Sequence, residues 1–215
     1  MTESLFSVSE MMFRIWEYPV SYIEFFGTVF GIAGVWLAAK SKVLTWPVGL
    51  INIILFFMIY YQVQLYSDMF LQIYFFGVGV YGWIFWNKEI EKKIPIHSLD
   101  AIQNIKIGVY ILILSIICGW LISNVHVWFP SVFKKEASFP YLDTLVAIAS
   151  IFANTMLARR IIQNWPIWIA VDLLCIVLYI SKEIYFVAFE FFIFTILASF
   201  GWYDWNRKMK LQTNV

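Results

Sequence analysis

The sequence predicts an all-α membrane protein in which seven transmembrane helices form two parallel three-helix repeats joined by a linker helix. Three observations predict this. Of the 215 residues 62% are hydrophobic and only 13% charged, an apolar share above and a charged share below those of soluble domains. The apolar residues gather into seven runs, each suited to the roughly 20-residue helix that crosses about 30 Å of hydrocarbon. Finally, Trp46-Pro47 recurs as Trp165-Pro166, a spacing of 165 − 46 = 119 residues, and the match continues in one register.

Residues 1–19 read as an amphipathic N-terminal segment, with Leu5 to Trp16 lying at the bilayer surface. No basic region precedes a short apolar core and a small-residue cleavage site, so no signal peptide is expected. The first repeat occupies 20–87, with spans near 20–39, 44–62 and 66–87. Residues 88–140 hold a loop, the linker span near 107–125 and an outer loop. The second repeat, 141–207, has spans near 141–158, 164–181 and 184–206, and residues 208–215 form a cytoplasmic tail. The joints "KSKVLTWP", "QVQLYSD", "ARRIIQNWP" and "SKE" are short, which makes consecutive helices antiparallel neighbours.

An odd number of spans puts the termini on opposite faces, and basic residues choose between them. The face following odd-numbered spans carries Lys40, Lys42, Lys88, Lys92, Lys93, Lys106, Arg159, Arg160, Arg207, Lys208 and Lys210. These are 11 of the 15 Lys and Arg, the other 4 being Arg14, Lys134, Lys135 and Lys182. The C-terminus is therefore expected in the cytoplasm and the N-terminus outside.

Within the repeat, Tyr60 falls on Tyr179, Tyr66 on Tyr185, Phe70 on Phe189 and Phe75 on Phe194. Gly82-Trp83 falls on Gly201-Trp202, Trp86-Asn87 on Trp205-Asn206, and Glu24 on Asp143. One extra crossing between two three-helix units keeps both in the same orientation. Parallel repeats of this kind belong to transporters, with the substrate site near the midplane between them.

Other classes are disfavoured. The formal net charge is +1, too small to draw in nucleic acid. Cys118 and Cys175 each sit in an apolar run and read as small buried hydrophobes, so no metal site or cofactor is expected. An enzyme would need a catalytic constellation, yet the sequence lacks Gly-x-Ser-x-Gly and His-Glu-x-x-His, and His97 and His126 fall in or beside loops. From Ile184 to Trp205 there is no lysine for the Schiff base of a seven-helix photoreceptor.

"YSDMFLQIYFFGVGVYGWIFW", "NWPIWIAVDLLCIVLYISKEIY" and "GWYDW" closely resemble the PnuC family of bacterial vitamin transporters, over nearly all of residues 20–207. The resemblance implies a fold like that of the SWEET sugar transporters and movement of nicotinamide riboside across the inner membrane. It further implies facilitated diffusion, trapping by a cytoplasmic kinase and a homotrimer, while relatives carrying thiamine or riboflavin keep those ligands as alternatives.

The polar residues inside the spans are the candidates for the site. A charge at mid-bilayer costs about 2.5 to 3.5 kcal/mol on insertion scales and defaults to a functional role facing the bundle interior. Asp172 lies seven residues after Trp165, about 10 Å along the helix axis and so near the midplane. Its alternative is a structural pair, but Arg159, Arg160 and Lys182 belong near span ends. The implied ligand has a cationic pyridinium, ribose hydroxyls and a carboxamide, which suit a carboxylate and amide side chains. Asn52, Gln72 and Asn154 supply amides at suitable depth, with interhelical hydrogen bonding as their structural alternative. Glu190 is a second acid, nearer the outer third of an otherwise apolar span. Trp168, one turn before Asp172, is placed to stack on a flat cation, and Tyr179 with Tyr60 to close the outer side. Trp46 and Trp165 complete the candidates, their Trp-Pro steps reading as matched hinges or as simple helix starts. Trp83, Trp86, Trp202 and Trp205 fit an interfacial aromatic belt.

Overall fold

A computed structural model describes residues 6–15, 18–62, 66–92, 95–129, 131, 139–181 and 185–213. Leu5, Trp16, Lys93, Lys134, Lys135 and Lys182 lie outside the described residues. The elements are β1 (Met11–Ile15), β2 (Tyr18–Ser21), α1 (Tyr22–Ala39), α2 (Thr45–Gln62), α3 (Tyr66–Lys92), α4 (Ala101–Trp128), α5 (Pro140–Ala158), α6 (Asn164–Ser181) and α7 (Tyr185–Thr213). All seven helices are long and apolar enough to cross a membrane. They leave large apolar side chains outward, which in a soluble protein would be a liability and in lipid is the stable arrangement.

Four boundaries differ from those read in the sequence. Within the expected surface segment, β1 and β2 pair antiparallel as a hairpin. The segment leading into the hairpin docks on the bundle: Gln62 Oε1 accepts from Val8 N at 3.0 Å, and Gln62 Nε2 donates to Phe6 O at 2.8 Å. Its end flows into α1, where Ser21 and Glu24 form a reciprocal capping box. Tyr18 donates to Glu24 Oε1 at 2.9 Å, and burial together with that carboxylate holds the phenol above its usual pKa range. The second difference is α4, which starts at Ala101 because Asp100 and Gln103 form another capping box. Third, α3 runs to Lys92 instead of stopping at the membrane face. Fourth, the expected tail continues α7 to Thr213, supported by ion pairs from Asp204 to Arg207 (3.2 Å) and Lys208 (2.8 Å).

The α4 cap gives a direct test. Asp100→Ala is expected to cost about 1 kcal/mol by leaving the Gln103 amide without its acceptor. Thermal unfolding in detergent reads this as a small drop in Tm, and an unchanged Tm would show that solvent replaces the cap.

Six helices close a ring. α1 packs on α2, α2 on α3, α3 on α5, α5 on α6, α6 on α7, and α7 returns to α1. α4 lies outside against α5. It is the most apolar span, with mean hydropathy 2.3, and Ile102, Ile105, Leu112 and Ile116 are all more than half exposed.

The 119-residue interval reappears in local geometry. Adding 119 to the bounds of α2, 45 and 62, returns 164 and 181, the bounds of α6; adding it to the start of α3, 66, returns 185, the start of α7. Ser41 and Arg160, also 119 apart, are the two non-glycine residues with positive φ among the described residues, each at 57°. Each takes up the left-handed conformation where the chain leaves an odd-numbered helix and turns into the next.

Candidate functional site

On α6, Trp168, Asp172, Cys175 and Tyr179 recur at intervals of 4, 3 and 4 residues, which stacks them on one helix face. Asp172 is only 3% exposed. Among the described residues it makes no ion pair or hydrogen bond, so the structural alternative of a buried salt bridge is not what holds it there. Trp168 is half-buried and packs on both the cluster around Trp165 and Trp205 and the cluster around Val171 and Cys175. That position one turn below Asp172 leaves part of the indole uncovered.

Tyr179 stacks on Phe191 of α7, ring centroids 5.5 Å apart and planes 14° from parallel. Its repeat counterpart, Tyr60 of α2, lies within electrostatic reach of Tyr179, Cys175 and Glu190. The two tyrosines therefore lie on the same outer side of Asp172, one from each half. Glu190 lies near Thr28 and Glu24 of α1, so it joins this outer group on the side of α7 that faces α1.

The amides separate. Asn52 Nδ2 donates to Gly27 O of α1 at 2.8 Å and sits against Gly31, with Phe194 of α7 beside the same glycine. One of its N–H groups thus serves as interhelical glue. Gln72 on α3 and Asn154 on α5 are half-buried and make no side-chain hydrogen bond among the described residues. Both lie on the two helices that pack as one seam between the halves. Next to them, Tyr74 Oη and Thr155 Oγ1 are 2.6 Å apart, a link that sequence reading missed because neither residue has a repeat counterpart of the same type.

Trp46 and Trp165 are 5% and 1% exposed and close the inner end, the end carrying the C-terminus of α7. Trp46 meets Trp86 edge-on at 5.4 Å, Trp165 meets Trp205 edge-on at 5.5 Å, and Trp86 and Trp205 touch at 6.0 Å. The indole of Trp86 donates to Ala158 O at 3.0 Å and that of Trp205 to Ala38 O at 3.1 Å. Each bond crosses from one half to the other. The belt expectation therefore splits: Trp83 and Trp202 face outward, whereas Trp86 and Trp205 are fully buried. Residues three apart sit about 60° from each other around a helix, so the two members of each Trp-x-x-Trp pair straddle the edge between the core face and the outward face, and packing alone decides which is buried. The signal that separates them was present in the sequence, since Gly82 and Gly201 are where Trp46 and Trp165 lie against the backbone.

The model of the nicotinamide mononucleotide transporter family matches residues 21–207. The chain belongs to that family. Among its relatives is the nicotinamide riboside transporter PnuC of Escherichia coli K12, 27% identical over 208 residues, covering 87% of this chain and 86% of that protein. Another is the riboflavin/roseoflavin transporter RibM of Streptomyces davaonensis, 23% identical over 196 residues, covering 90% and 88%. The crystal structure of the vitamin B3 transporter PnuC matches with a TM-score of 0.64 at 20% identity, covering 88% of this chain and 82% of that one. That match carries the fold. Family membership and seven apolar spans make this a multi-pass membrane protein of a bacterial vitamin-transporter family.

Proposed function

We propose that the protein takes up nicotinamide riboside across the bacterial inner membrane by facilitated diffusion, its two repeats rocking about a central site. The observation that carries this reading is Asp172, buried at mid-span without a basic partner among the described residues. An isolated carboxylate there costs about 2.5 to 3.5 kcal/mol on insertion scales. A pyridinium about 4 Å away returns about 4 kcal/mol at an effective dielectric of about 20, so the cation offsets the cost that no protein group offsets. Trp168 supplies a face for the ring. Gln72, Asn154 and the remaining capacity of Asn52 complement the carboxamide and ribose, Tyr179 and Glu190 border the outer side, and Trp46 and Trp165 close the inner one.

The same electrostatics favours the riboside over its 5′-phosphate. Every Lys and Arg lies at or beyond a span end, so a phosphate near Asp172 meets a like charge and no cation. This fits trapping by a cytoplasmic kinase, which converts the substrate to a form the site rejects and keeps the gradient inward. In this reading the N-terminus is periplasmic, the C-terminus cytoplasmic, and the assembly is the homotrimer the family resemblance implies. Riboflavin is the second reading, supported by the similarity to RibM; its neutral ring system gives Asp172 less to do. Thiamine, a cation, is the third.

Purified protein in sealed vesicles is expected to equilibrate labelled nicotinamide riboside with no imposed ion gradient. Uptake that appears only with a proton or sodium gradient would refute facilitated diffusion. A binding titration with nicotinamide riboside, nicotinamide mononucleotide, thiamine and riboflavin decides the ligand, with tightest binding expected for the first.

A further inference from the structure

We infer that the two seams between the halves are unequal: the α3–α5 seam is the pivot, and the α1–α7 seam is the one that parts. This rests on the alternating-access reading above and adds to it which helices separate.

The α3–α5 seam is held at mid-span and at its inner end. At mid-span Tyr74 Oη lies 2.6 Å from Thr155 Oγ1 and 3.4 Å from Ile151 O. At the inner end the connection after α3 pairs through its backbone with the connection after α5, His97 N donating to Arg160 O at 3.2 Å and Ile162 N to His97 O at 3.0 Å. Gln163 Nε2 donates to Ser98 Oγ at 2.7 Å and Leu99 N to Gln163 Oε1 at 3.1 Å. The Arg160 guanidinium covers the Trp86 ring at 5.1 Å. Backbone pairs between segments tied at both ends to helices yield less readily than side-chain tips.

The tryptophan link is matched in both seams, Trp86 to Ala158 O at 3.0 Å and Trp205 to Ala38 O at 3.1 Å, but the other links are not. Tyr74 maps to Ile193 (74 + 119) and Thr155 to Trp36 (155 − 119), so the mid-span hydrogen bond has no equivalent. At the inner end α7 reaches α1 through side chains: Trp205 to Ala38 O, Lys208 Nζ to Lys40 O at 2.8 Å and to Ser41 Oγ at 3.0 Å. Trp36 and Phe200 stack at 5.4 Å with Lys40 over both rings. An apolar groove lined by Val29, Ile32, Ala33, Trp36 and Leu197 runs along this seam. At the outer end Glu190 of α7 lies near Thr28 of α1 with no backbone pair between the two helices among the described residues, beneath a hairpin whose Glu10 carbonyl accepts from Tyr22 N at the start of α1. Each end of the α1–α7 seam can therefore release without breaking a backbone pair.

The closed inner end also leaves polar atoms unsatisfied. Among the described residues Trp46 Nε1, Trp165 Nε1 and Asn164 Oδ1 are buried without a hydrogen-bond partner, a condition that disfavours closure. Parting α1 from α7 opens the Trp165–Trp205 side of the cluster to water and gives these atoms partners, which makes the closed and open arrangements closer in free energy.

Spin labels at symmetry-matched sites test this. In a Cys118→Ala/Cys175→Ala background, one pair replaces Lys40 and Arg207 and the other Arg159 and Lys88, related by 119 residues (40 + 119, 88 + 119). Pulsed electron–electron resonance in nanodiscs, without ligand and with nicotinamide riboside, is expected to show two distances for the 40/207 pair, separated by ~5 Å or more, about one helical turn. The 159/88 pair is expected to show one. A second pair at Lys42 and Leu211 spares the ring contacts of Lys40 and should repeat the two distances. An equal or larger second distance at 159/88, or a single distance in all three pairs, would overturn the proposal. The ligand-free distances do not depend on which vitamin is carried, so a wrong ligand shows in vesicle uptake while a wrong pivot shows here.

Discussion

Asp172→Asn is expected to weaken nicotinamide riboside binding roughly 10- to 100-fold, the loss of one charge-assisted interaction worth about 1.5 to 3 kcal/mol. Calorimetric titration of the purified protein measures it. Asparagine keeps the volume and hydrogen-bonding capacity, so a loss of that size isolates the charge. The same change is expected to leave Tm unchanged or raise it, because the side chain is 3% exposed with no ion-pair partner among the described residues, and removing an uncompensated buried charge relieves a cost. The two readouts moving in opposite directions distinguish a ligand-facing acid from a structural one. Unchanged affinity would remove Asp172 from the site, and a large fall in Tm would point to a structural partner.

The second large effect is on stability. Gly201→Ala would place a Cβ about 2.7 Å from Cη2 and Cζ2 of Trp165, and Gly82→Ala would overlap the ring of Trp46. Both rings are buried against a further tryptophan and cannot swing aside. Overpacking of this kind costs about 1 to 3 kcal/mol, which for a chain of this size lowers Tm by about 2 to 12 °C. Gly77→Ala is the matched control, since its Cβ would meet nothing within 4 Å and alanine is the better helix former; its Tm is expected to stay level or rise. Equal behaviour of the three variants would show that the tryptophan cluster adapts.

Legibility from sequence followed the physics of each feature. Asp172 stood out because carboxylates are rare in hydrocarbon, and the structure keeps it buried. Glu190 stood out for the same reason, but its approach to Thr28 depends on α7 lying against α1, between residues 190 − 28 = 162 positions apart. Asn52 was read as an amide at the right depth, and only the approach of Gly27 shows that one of its hydrogens is committed. The N-terminal segment misled because alternating apolar residues at an interface suit a surface element of either kind, and the segment leading into the hairpin is fixed by docking to Gln62. Trp86 and Trp83 carry the same side chain three residues apart, and composition at a span end cannot tell lipid from core.

What the sequence determines by itself is the class, the seven spans, the 119-residue repeat and the family. These depend on composition, period and register, which are local or additive properties of the chain. What only the tertiary structure decides is the ring order, the hairpin, the buried tryptophan cluster and the inequality of the two seams. Those arise where helices distant in sequence meet, and a repeat that makes the halves alike in register does not make their contacts alike: Tyr74 finds Thr155, whereas the side chain of Ile193 offers Trp36 no hydrogen-bonding group.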